Sequence, residues 1–165
     1  MTTTVKAAGP LGGPTNPEAA CGGRVGGGNQ VRSFRNVIAG HGTLPAALLG
    51  TAEMICGPIA DIAAVGLQAA DSPDRYAEAL RAAIGRDHRR VLVLCDLLGG
   101  TPFNVASAIG RRSPRITCLS GVNLAMTVEA ALADGDLDEA QVERLLEVGR
   151  SGIVETERHR ARRAS

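Results

Sequence analysis

The chain has 165 residues, enough for one domain with a sizeable buried core, and its charges nearly cancel at +1. That balance excludes the basic footprint of a nucleic-acid binder, since cationic residues cluster only in the tail RHRARRAS, residues 158–165. Nothing approaches the roughly 18 apolar residues that span a bilayer, and MTTTVKAAGPLGG lacks the apolar segment of a secretory signal, so a cytoplasmic protein without membrane insertion is expected.

Residues 1–35 include GPLGGPTNPEAACGGRVGGGNQ, dense in Gly and Pro and without hydrophobic period. They are expected to form a disordered leader, either a tether or an overlong start, ahead of a domain over 36–156 and a basic tail over 157–165. NVIAG, 36–40, predicts a strand, followed by a helix over LPAALLGTAEMIC, 44–56, that Gly57 and Pro58 stop. DIAAVGL, 61–67, predicts the second strand. Ser72 and Pro73 supply an N-cap and first helical residue for DRYAEALRAAI, whose Tyr76, Leu80, Ala83 and Ile84 share one face.

VLVLCD, 91–96, is apolar without alternation, as in a strand buried on both faces of a parallel sheet. Thr101 as N-cap and Pro102 open the helix FNVASAI; RITCLS, 115–120, makes a fourth strand; Asn123 caps LAMTVEAAL. A last helix is expected from Asp136, with Glu139 in capping-box spacing, to a stop at Gly149. GIVETE, 152–157, is a short β-prone piece. Of the four cysteines, Cys21, Cys56, Cys95 and Cys118, none forms a CxxC pair, and the last two sit in apolar runs as small hydrophobes, which suits a reducing compartment.

Strand and helix thus alternate four times, the pattern of a doubly wound α/β domain with a mainly parallel open sheet. In the order 2-1-3-4, strands one and three are neighbours whose following helices lie on opposite faces, so their loops part into a crevice where such folds bind ligands. Into it come His41, set between two glycines in AGHG, and Asp96 with Gly99, Gly100 and Thr101 of CDLLGGTPFN. SGVN, 120–123, borders it. Flanking glycines strip side chains from around the histidine and leave it open to a visitor.

Imidazoles have a reference pKa of about 6.5 and are nucleophilic when neutral. A carboxylate on one ring nitrogen fixes the tautomer, frees the other lone pair and stabilises the cation formed on attack. Asp96 is placed for that role. The N–H groups of the Gly99–Gly100–Thr101 turn and the helix behind it suit an anion, above all a phosphoryl group. An ordinary capped βα turn would use many of the same residues. His88, in GRDHRR before the third strand, and His159, in the tail, read as surface.

VIAGHGTLPAALLGTAEMICG, VLCDLLGGTPFNVAS and SGVNLAMTVEAAL together resemble the IIA components of the mannose-type sugar phosphotransferase system, a likeness covering roughly residues 36–156. It implies a phosphocarrier that takes a phosphoryl group from HPr on His41 and passes it to a IIB component of a membrane permease. By the same resemblance Asp96 orients His41, Gly99, Gly100 and Thr101 cradle the group, and no metal or other cofactor takes part. A flat apolar rim of Leu44, Leu97 and Leu98, with Asn123, would receive the partners; Leu98 stands where some members carry tryptophan. The family dimerises by exchanging an antiparallel C-terminal strand, here GIVETE.

Three rivals share the pattern. A response-regulator receiver domain also places an Asp after strand three, but needs an acidic pair where this chain has AGHG. A nucleotide- or flavin-binding module could use the Gly-Gly turn, yet GxGxxG and Walker spacings are missing and His41 would have no task. The related phosphocarrier serving dihydroxyacetone kinase shares fold and histidine chemistry.

Overall fold

The computed structural model describes residues 33–155. The bulk of the expected leader, up to residue 32, and the tail from residue 156 lie outside the described residues. Strand β1 (Phe34–His41) leads to helix α1 (Leu44–Cys56), β2 (Ile62–Leu67) to α2 (Pro73–Ile84) and β3 (Arg90–Cys95) to α3 (Thr101–Gly110). β4 (Ile116–Ser120) leads to α4 (Leu124–Leu132), and α5 (Glu139–Ser151) follows. Every ladder is parallel and the order is β2-β1-β3-β4, the order expected above.

Both faces of the sheet are covered, which is why Val91–Cys95 are all buried. Val91, Val93 and Cys95 join Val37 and Ala39 on one face, beneath Tyr76, Leu80 and Ile84 of α2 and Ala106 of α3. Leu92 and Leu94 point the other way and meet Met126 and Ala130 of α4 and Leu145 of α5. α1 lies beside α4. The helices that follow β1 and β3 therefore leave on opposite sides, and the crevice opens between them.

Local chemistry sets the element ends. Ser72 Oγ accepts from the Arg75 N–H at 3.3 Å and Pro73 begins α2. At the other end of α2 the Arg35 guanidinium donates to the carbonyls of Ala83 and Ile84 at 3.3 and 3.1 Å, and Arg115 to that of Gly85 at 2.8 Å. Cations thus satisfy the negative end of the helix. Asn36, fully buried, donates through Nδ2 to Ala130 O at 2.9 Å and ties β1 to α4.

Three expectations about these elements need correction. β1 begins at Phe34, not Asn36: Phe34 is fully buried, while Arg35 sends its side chain out to α2, so a charge at a leader boundary conceals a strand residue. α5 is capped by Asp138, whose Oδ1 accepts from Gln141 N at 2.8 Å, and not by Asp136, because Leu137 between them has to reach the core. Gly149 does not stop α5. A Cβ there would stand 2.6 Å from Met126 Sδ, so this glycine allows α4 and α5 to touch. Residues 153–155, the described part of GIVETE beyond Gly152, pair with no strand of their own chain, and Ile153 and Val154 are 82% and 58% exposed. A strand needs a ladder, and no described residue offers these one.

Candidate functional site

His41 ends β1 and Asp96 follows β3, strands that pair directly up to Ala39↔Cys95. The parallel register therefore brings both residues to one sheet edge. His41 Nδ1 lies 2.9 Å from Asp96 Oδ2, and that same oxygen accepts from the His41 backbone N–H at 2.7 Å. The other oxygen, Oδ1, accepts from the Leu97 N–H at 2.8 Å. The imidazole is 46% exposed and the Asp96 side chain only 10%. Nε2 makes no hydrogen bond to any described residue.

Partial burial, the largest single influence on Asp96, pushes its pKa up. The hydrogen bonds from the His41 backbone and ring, the charge on that ring and the Leu97 N–H outweigh it and hold the carboxyl below its ordinary value. Asp96 is thus an acceptor that keeps its negative charge. Behind it, burial, the Cys118 thiol and Asp96 itself push the Cys95 thiol up to about 12, which makes Cys95 an inert wall and not a nucleophile.

Glycines create the space, though not as expected. A Cβ on Gly40 would lie 2.9 Å from Asp96 Cγ and Oδ2, so this residue clears room for the carboxylate and not for a visitor. A Cβ on Gly100 would lie 2.9 Å from His41 Cε1, so here bare backbone flanks the ring. Gly99 sits at φ +77, a left-handed turn that Asn104 secures by donating Nδ2 to its carbonyl at 2.8 Å.

The remaining expected residues divide. The N-cap of α3 is Gly100, with no side-chain cap bond; Thr101 is already helical. The Gly100 N–H donates to Leu97 O at 3.1 Å, which leaves the N–H groups of Gly99 and Thr101 without a partner among the described residues. Leu44, Leu97 and Leu98 are 44%, 59% and 71% exposed around the histidine. Asn123 is occupied: its Oδ1 accepts from Met126 N and its Nδ2 donates to Gly149 O, both at 3.0 Å, so it braces α4 against α5. His88 lies exposed at the opposite end of the sheet, and His159 is outside the described residues. Among the described residues no group of three or more His, Cys, Asp or Glu could hold a metal ion, and no helix is long and apolar enough to cross a membrane.

Fold and site define a doubly wound α/β domain with an exposed, carboxylate-held histidine at its topological switch point. The EIIA-man family, described as PTS system fructose IIA component, matches residues 36–147. The chain belongs to that family of phosphotransferase-system IIA proteins. It is 33% identical over 122 residues to the PTS system mannose-specific EIIAB component of Escherichia coli (strain K12), covering 71% of this chain and 38% of that protein. It is 35% identical over 99 residues to the PTS system fructose-specific EIIA component of Bacillus subtilis (strain 168), covering 56% of this chain and 65% of that protein. The alignment thus spans less than two thirds of either relative. The crystal structure of phosphotransferase system component EIIA from Streptococcus agalactiae superposes with a TM-score of 0.70 at 32% identity, covering 75% of this chain and 98% of that one.

Proposed function

We propose that the chain is a cytoplasmic histidine phosphocarrier of the phosphoenolpyruvate-dependent sugar phosphotransferase system, accepting a phosphoryl group from HPr on His41 and passing it to a IIB component for sugar uptake. The observation that carries this reading is the asymmetry of one ring: Nδ1 is held by Asp96 at 2.9 Å, while Nε2 of the half-exposed ring has no hydrogen-bond partner among the described residues. With the proton on Nδ1 shared with the carboxylate, the lone pair stands on Nε2.

In the transfer, that lone pair forms a new P–N bond as the P–N bond of phospho-HPr breaks, and the breaking bond's electron pair returns to the donor imidazole. Asp96 stabilises the positive charge that grows on His41. The open N–H groups of Gly99 and Thr101, at the start of α3, suit the phosphoryl oxygens. Like leaving and attacking groups exchange places, so orientation and fixed donors meet the demands of the step and no cofactor is invoked.

Leu44, Leu97 and Leu98 give HPr and IIB an apolar surface from which to exclude water. The segment from Gly152 onward is the candidate fifth, antiparallel strand, pairing in a second copy with the outer edge of β4, which has no further strand beside it among the described residues, to make a homodimer. Incubation with phosphoenolpyruvate, enzyme I and HPr should label the protein on one histidine, with an acid-labile, base-stable phosphate. His41→Ala should abolish that label; full labelling of the variant would overturn the assignment.

A further inference from the structure

Asp96 grips His41 from the β3 side, and a second grip comes from β2. The Gly42 N–H donates to Leu67 O at 2.7 Å. The Gly42 carbonyl accepts from Gln68 Nε2 at 3.2 Å, and the same amide nitrogen reaches Gly66 O, also at 3.2 Å. The Gln68 N–H donates in turn to Asp71 Oδ2 at 3.0 Å, so the clamping side chain springs from anchored backbone. Gly42 lies at φ +55, and a Cβ on Gly66 would stand 2.0 Å from Gly42 O. The peptide after His41 is therefore folded onto β2 at a place where only a bare backbone fits.

We infer that Gln68 is a positioning residue for the phosphoryl acceptor: one side-chain amide bridges two carbonyls and thereby sets the peptide that follows His41. The inference rests on the reading of His41 as the acceptor and adds a residue just past the end of a third strand, β2, to it. An NH₂ group has two hydrogens, and here each has its own carbonyl oxygen. Glutamate has the same shape but would set oxygen against oxygen. Loosening this clamp leaves both Asp96 bonds to His41 in place yet lets the peptide that follows it drift, and the ring with it. Drift of that kind costs rate, because a misplacement of about 1 Å lowers transfer by as much as about 100-fold.

The test uses the full chain with Gln68→Glu and Gln68→Lys, phospho-HPr as the protein donor and phosphoramidate as a small donor that needs no docking. Gln68→Glu should lower kcat about 10-fold with KM for phospho-HPr within about twofold, and slow phosphoramidate labelling alike. Gln68→Lys restores N–H donors and should recover most of the rate. Amide hydrogen exchange at Gly42 should quicken in Gln68→Glu while exchange at Val93 in the core stays slow. Wild-type rates from both donors with unchanged Gly42 exchange would sink the inference, as would a rate loss accompanied by faster exchange throughout the core. If wild type accepts nothing from phospho-HPr, the carrier reading fails instead, and phosphoramidate labelling with Gly42 exchange still decides the role of Gln68.

Discussion

The two ends of β1 each carry a carboxylate against a basic side chain at nearly the same distance. At the carboxyl end His41 meets Asp96 at 2.9 Å; at the amino end Arg35 meets Asp87 at 3.0 Å. The surroundings differ. Arg35 also serves the carbonyls of Ala83 and Ile84, and Asp87 shares Arg89 with Asp61, so the amino end closes into a network in which each charge has a protein partner. At the carboxyl end both oxygens of Asp96 are engaged but His41 keeps one ring nitrogen without a partner among the described residues. A charge pair marks a site when its network stops short, and marks a brace when it does not.

The strongest test of that contrast is Asp96→Asn. It preserves shape but removes the charge that holds the tautomer, and should slow transfer from phospho-HPr about 100-fold. It also has a stability signature. The folded carboxyl titrates below its unfolded value of about 3.9, so its contribution is present above that pH and is lost as pH falls through the lower folded value. Between pH 5 and pH 2 the wild type should therefore lose more stability than Asp96→Asn, measured by denaturant melts at each pH. Equal losses would mean that the pair contributes nothing to folding.

Gly100→Ala acts next. Its methyl would press on His41 Cε1 and should cut transfer about 10-fold while the melting temperature moves little, because the ring is exposed and can swing aside. Arg35→Ala, at the braced end, should do the reverse. Losing the guanidinium that satisfies the end of α2 should cost about 1 kcal/mol of stability and leave the transfer rate unchanged. A rate defect in Arg35→Ala would break the comparison.

Much of this was legible from residue order. VLVLC reads as an interior strand and the alternation of strands with helices as a doubly wound sheet, and in the order 2-1-3-4 His41 comes beside Asp96. What escaped depended on contacts distant along the chain. Phe34 and Arg35 hid behind a glycine-rich run because the partner of Arg35 is the end of α2. Gly149 looked like a helix stop because nothing local reveals Met126 pressing on it. Gln68 sends no signal of its own: its task exists only once the pairing of Gly40 with Gly66 has carried Gly42 over to β2.

A single oxygen, Asp96 Oδ2, receives both the main-chain N–H and the ring nitrogen of the same histidine. Both attachments lie on the side of the imidazole away from Nε2, so a group joined to Nε2 would displace neither. Such a carrier would hold one pose whether full or empty. The direction of traffic would then follow the supply of energised donor upstream and the drain downstream.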